Sequence, residues 1–168
     1  EVHFPPIAGA LACARTPRAL TGRGRCDRIE LDFGCARAWL EVRTAGPRRL
    51  DIALRAESNM INHEIALVLQ LQLKASARLT TDRRRLKLAA VQPQQAPTAL
   101  PLGRTLVAAG AWRFRLPPGA TLNWPHLPWN PYAPPTYRAA PEMATALLRV
   151  PIDLRSGRCA VSLEILSA

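Results

Sequence analysis

At 168 residues and 48% hydrophobic content, the chain has the length for one domain with a buried core and is too apolar for a disordered tail. Lys and Arg number 23 against 12 Asp and Glu, a formal net charge of +11, and no apolar run approaches the ~18 residues that span a bilayer as a helix. The four cysteines (13, 26, 35 and 159) form no C-x-x-C, and with only His3, His63 and His126 beside them, zinc-ligand spacing is absent.

All but two of the cations, Lys74 and Lys87, are arginine. Two readings of the excess follow. It reflects the Ala-, Arg- and Pro-rich usage of a GC-rich genome, or it attracts a polyanion. Glu1 reads as a processed N-terminus or as the start of a piece of a longer chain.

Taken in chain order, the dominant pattern has period two. "GRGRC" at 22–26 has glycines at alternate positions with no helix signal after it, so it makes a poor phosphate cradle. Ile29, Leu31 and Phe33 then alternate with Arg28, Glu30 and Asp32, and Leu40 and Val42 with Glu41 and Arg43. After the turn "TAGPRR", Leu50, Ile52 and Leu54 alternate with Asp51 and Arg55. In "IALVLQLQLKASARLTT" every second residue from Leu67 to Leu79 is apolar, which fits a long strand bent at the small residues Ala75 to Ala77. "TDRRR" is a turn, and "LKLAAVQ" the strand that returns from it.

Residues 91–103, "VQPQQAPTALPLG", read as a linker-like loop. Trp112, Phe114 and Leu116 alternate with Arg113 and Arg115 on the next strand. "APEMATALL" (140–148) offers a single helical turn with Pro141 at its first position. Leu148, Val150, Ile152 and Leu154 form a strand, "RSGR" turns, and Val161, Leu163 and Ile165 form the last one. These runs predict an all-β, antiparallel β-sandwich of about eight strands over residues 1–168, with a long Pro/Trp-rich loop.

That loop lies at 117–141. Six of the chain's aromatic residues, Trp112, Phe114, Trp124, Trp129, Tyr132 and Tyr137, fall between 112 and 137, while Pro125, Pro128, Pro131, Pro134 and Pro135 remove backbone donors. The prolines argue against a central strand, so residues 123–138 are expected to run over a surface. There the aromatics either stack on sugar rings or turn inward as a lid on the sandwich. The expected binding residues are Trp124, His126, Trp129, Tyr132 and Tyr137, with Arg113, Arg115 and Arg138 for acidic groups.

No catalytic signature occurs: no G-x-S-x-G, P-loop, G-x-G-x-x-G or H-E-x-x-H. His63 and Glu64 are adjacent, but strand neighbours point to opposite faces. His63, His126 and Glu142 are the only acid–base candidates. The sequence therefore reads as a non-catalytic binding or accessory domain without metal or cofactor, contacting an acidic polysaccharide or an acidic protein surface through the aromatic loop. A stand-alone assembly module and a nucleic-acid binder are the alternatives; the latter lacks stacking aromatics along strand faces. The even cysteine count fits a secreted or periplasmic protein with a Cys35–Cys159 disulfide and a Cys13–Cys26 partner, against four buried thiols in a cytoplasmic one.

Overall fold

The structure, a computed structural model, describes residues 16–21, 26–32, 36–58, 65–74, 76–90, 97–126 and 143–166. Among them the chain forms strands and turns, and no helix is long and apolar enough to cross a membrane. The first four strands are a meander: β1 (Thr16–Thr21), β2 (Cys26–Asp32), β3 (Ala36–Gly46) and β4 (Arg49–Ser58). The long alternating run then divides into β5 (Ala66–Lys74) and β6 (Leu79–Thr81), with β7 (Arg84–Arg85) after the turn. There follow β8 (Thr98–Pro101), β9 (Thr105–Ala108), β10 (Trp112–Arg115) and β11 (Thr121–His126). The chain finishes with β12 (Met143–Pro151) and β13 (Arg158–Ile165).

Two antiparallel sheets result. The larger has nine strands in the order β1-β2-β3-β4-β13-β10-β9-β6-β7, and the smaller has four, β5-β12-β11-β8. One apolar cluster lies between them, with Leu54, Leu79, Leu106, Phe114 and Val161 from the large sheet and Leu67, Leu73, Leu122, Leu148 and Val150 from the small one. This is the antiparallel β-sandwich that the period-two runs predict. Among the described residues the strands number thirteen because several, such as β6, β7 and β10, are only two to four residues long.

The run at 65–81 does bend near its small residues, and the bend carries the chain from the small sheet into the large one. Leu67, Leu73 and Leu79 keep the core face throughout. The returning strand is shorter than "LKLAAVQ" suggests. Only Arg84 and Arg85 are strand, the Leu86 N–H still donates to the Leu79 carbonyl at 2.9 Å, and Leu86 and Leu88 pack on the core from beyond the strand. Part of the expected linker, Thr98–Pro101, is edge strand β8, a position that suits Pro101.

Three further expectations are corrected. Residues 143–148 form no helical turn: Met143–Pro151 is a strand paired with β5 along its whole length, and Ala144, Ala146, Leu148 and Val150 face the core at period two. Leu154 leaves the strand for the turn before β13 and is 83% exposed. The Cys35–Cys159 bridge is not made. Cys159 is a free thiol on the inner face of β13, with Sγ 3.8 Å from the Val150 carbonyl oxygen, and burial pushes its pKa up. Cys35 and Cys13 lie outside the described residues.

The aromatic stretch also begins inside the sheet. Asn123 to His126 belong to β11, which pairs with β12 on one side and β8 on the other. The register against β12 shifts between Asn123 and His126, so the bulge takes up Pro125, which has no N–H for the ladder. The Trp124–Pro125 peptide is cis. Trp124 is 1% exposed, and its Nε1–H donates to the Ala89 carbonyl at 2.9 Å, tying β11 to the chain beyond β7. Replacing Trp124 by Ala is expected to cost about 3–5 kcal/mol of unfolding free energy, measured by urea titration. A cost below ~1 kcal/mol would show that Trp124 is not a core residue.

Candidate functional site

Because Leu106 and Phe114 must face the core, their neighbours on β9 and β10 face water. Thr105, Val107, Arg113 and Arg115 therefore share the outer face of the large sheet, where Arg113 stands opposite Val107 and Arg115 opposite Thr105. Thr80 of β6 adds to the same row opposite Val107. With Leu116, Arg83 and Arg104, these residues line an open concavity of about 600 Å³. Four arginines thus converge, two from β10 and one each from a hairpin tip and a corner.

The tip and the corner are held by Asp82. The β6–β7 turn places Asp82 and Arg83 at φ 42° and 69°, the left-handed conformation that a type I′ hairpin turn requires at both positions. Its carboxylate then accepts the Arg104 N–H at 2.9 Å, the Thr105 N–H at 3.0 Å and the Thr105 hydroxyl at 3.2 Å. The Thr81 hydroxyl accepts the Gly103 N–H at 2.8 Å. A Cβ on residue 103 would sit 1.6 Å from Asp82 Oδ2, so only glycine leaves room for the carboxylate. Residues 103–105 are also where the chain passes from β8 in the small sheet to β9 in the large one. Asp82 therefore fixes a sheet-to-sheet corner and sets Arg83 and Arg104 at the groove. The Arg104 N–H, followed by the Thr105 hydroxyl and N–H, holds the Asp82 carboxyl below the usual carboxylate range against some opposing desolvation.

Charge on the outer face is unevenly paired. Over β2, β3 and β4, Arg28 and Arg43 bond Glu41 at 2.9 and 3.0 Å, Arg49 bonds Asp51 at 3.0 Å, and Arg55 bonds Glu57. In the groove, Arg113 meets Glu164 at 3.4 Å, while Arg83, Arg104 and Arg115 have no ion-pair partner among the described residues. The acid beside them, Asp82, gives its oxygens to the Arg104 and Thr105 N–H groups and the Thr105 hydroxyl, and its charge attracts Arg104 without forming an ion pair with it. Such a field of unmatched guanidinium groups attracts anions.

Of the expected binding residues, the structure brings Arg113 and Arg115 together and adds Arg83 and Arg104, which no local pattern marks. Trp124 is corrected from contact to core residue. It points between the sheets from β11, whereas Arg113 and Arg115 point outward from β10, so the three share no surface. His126 ends β11. Trp129, Tyr132, Tyr137 and Arg138 lie outside the described residues, as do His63 and Glu142. Trp39 on β3, which the sequence reading passes over, is half-buried with the Arg55 guanidinium carbon 5.2 Å from its ring centroid. No family model matches the chain, and no curated protein is significantly similar to it. Fold and groove together describe an all-β sandwich with a cationic concavity on its outer face.

Two measurements check the corner. Since Asp82 has a lower pKa folded than unfolded, its contribution is complete above about pH 4 and is lost as pH falls through the lowered folded value. The melting temperature of Asp82→Asn is therefore expected to fall less steeply with acid than that of the wild type, with the two curves converging at the lowest pH. Gly103→Ala should evict the carboxylate and lower stability at neutral pH by about 1–3 kcal/mol. Placed on Asp82→Asn, the same change should cost less than it does alone, because the two share one contact.

Proposed function

We propose that this domain is a non-catalytic binding module that grips an acidic glycan, one carrying carboxylate or sulfate groups, in the groove of Arg83, Arg104, Arg113 and Arg115. The observation that carries the reading is the contrast in pairing. Arginines over β2 to β4 are matched with carboxylates on the same face, and three of the four groove arginines are not. The guanidinium fork matches planar carboxylate and sulfate groups two hydrogen bonds at a time. The volume, about 600 Å³, is in the range of small-ligand sites and takes a short run of sugar units.

Ionic recognition, rather than ring stacking, is the mode that this lining supports. Its side chains are Thr80, Arg83, Arg104, Thr105, Val107, Arg113, Arg115 and Leu116, without an aromatic ring. Single-stranded nucleic acid relies on stacked bases for much of its affinity, and the described residues that line this groove offer no platform for them. The reading thus moves the contact surface from the aromatic stretch to the outer face of β9 and β10.

Calorimetric titration with a sulfated or uronic-acid oligosaccharide tests it. Each of Arg83→Ala, Arg104→Ala and Arg115→Ala is expected to weaken binding by ~1 kcal/mol, about fivefold, and to make the salt dependence shallower. Arg43→Ala, in the paired region, should change little. Equal losses from Arg43→Ala and Arg115→Ala would reduce the effect to diffuse charge and overturn the groove. Tighter binding of a single-stranded oligonucleotide than of the glycan would replace the ligand class.

A further inference from the structure

The four sheet edges are not alike. At one end of the large sheet β7 is two residues long, and both are arginine. At the other end β1 contains Pro17 and Arg18. In the small sheet β8 is four residues long and ends in Pro101. Short length, charge and proline are the features that keep an edge from pairing with another chain. β5, the remaining edge, is neither short nor interrupted by proline: nine residues, ALVLQLQLK, whose single charge stands at the last position. Only β12 pairs with it among the described residues, so alternate backbone N–H and C=O groups are turned to its other side.

We infer that a second copy of this chain pairs antiparallel with β5, joining two four-stranded sheets into one of eight across a two-fold axis at Gln70. The sequence is self-complementary in that register. On the core face Leu67 meets the partner's Leu73, and Leu69 meets the partner's Leu71. On the outer face Val68 meets the partner's Gln72, Gln70 meets the partner's Gln70, and Lys74 meets the partner's Ala66. No like charges face each other, and the two lysines stand at opposite ends of the ribbon. For a chain of net charge +11 this matters, because β7 would set arginine against arginine. Leu69 and Leu71, only partly buried, lie at the centre of the register, and Val68 is 49% exposed beside them. A two-fold pairing of this kind makes one patch serve both subunits.

Sedimentation equilibrium of the full chain over a wide concentration range provides the test. The wild type is expected to sediment at twice its 18.4 kDa mass. Gln70 is exposed on the outer face, so Gln70→Lys should leave the circular dichroism spectrum and melting profile of the monomer unit intact. It would nevertheless bring two lysines together at the axis and weaken association by ~100-fold. Mixing Gln70→Lys with Gln70→Glu should restore a dimer containing one of each, because the axis sets residue 70 against itself. A wild type that stays monomeric at high concentration would mean that the edge is covered by the chain itself or kept for another protein, and would overturn the inference. So would a dimer that Gln70→Lys leaves unchanged, or a mixture that does not recombine.

Discussion

Everything in this fold follows from two sheets having to close over one apolar layer. Leu79, Leu106, Leu122, Leu148 and Val150 are wholly buried there, two from the large sheet and three from the small one. Each such burial is worth about 1.5–3 kcal/mol, and an exposed ion pair rarely reaches 1 kcal/mol. The core therefore decides which way each strand faces, and the charged residues take the positions that remain. Arg113 and Arg115 point to water because Phe114 between them cannot. The groove is in that sense a by-product of the core that has become available for binding.

Gathering arginines at the groove works against folding, since like charges at close range repel. Asp82 lies among them, and its negative charge softens the repulsion while its oxygens are committed to Arg104 and Thr105. An acid that paired side chain to side chain with Arg83 or Arg104 would have neutralised the groove. By bonding backbone N–H groups instead, Asp82 holds the corner and leaves the guanidinium groups available. Local structure and surface electrostatics are reconciled by one carboxylate.

The face of each long strand could be read from sequence because strand periodicity is a local property, and β5 is the clearest case. Sheet order could not, since β13 pairs with residues more than a hundred positions earlier. "APEMATALL" misled because Ala, Met and Leu favour helices; the neighbours β5 and β11 overrode that preference by offering partners on both sides. Trp124 misled because proline usually excludes a central strand, and the bulge that admits Pro125 leaves no mark in composition. Of the groove, Arg113 and Arg115 were legible as outward residues. Arg83 and Arg104 were not, because their meeting depends on the contact between Asp82 and the glycine corner.

The order of the large sheet bears on how the protein is made. Its first four strands are sequential neighbours, so they can pair as soon as they leave the ribosome. β6, β7, β9 and β10 likewise assemble among themselves. Between the two groups lies β13, the last strand in chain order, which pairs with β4 on one side and β10 on the other. Until residues 158–165 are synthesised, a nascent chain carries two half-sheets, each with a raw inner edge and an apolar face that nothing joins. At ~5–20 residues per second, that exposure lasts for several seconds after β4 emerges. It is the interval in which a chaperone would be needed, and a chain stopped short of β13 would be left with both edges open to other polypeptides.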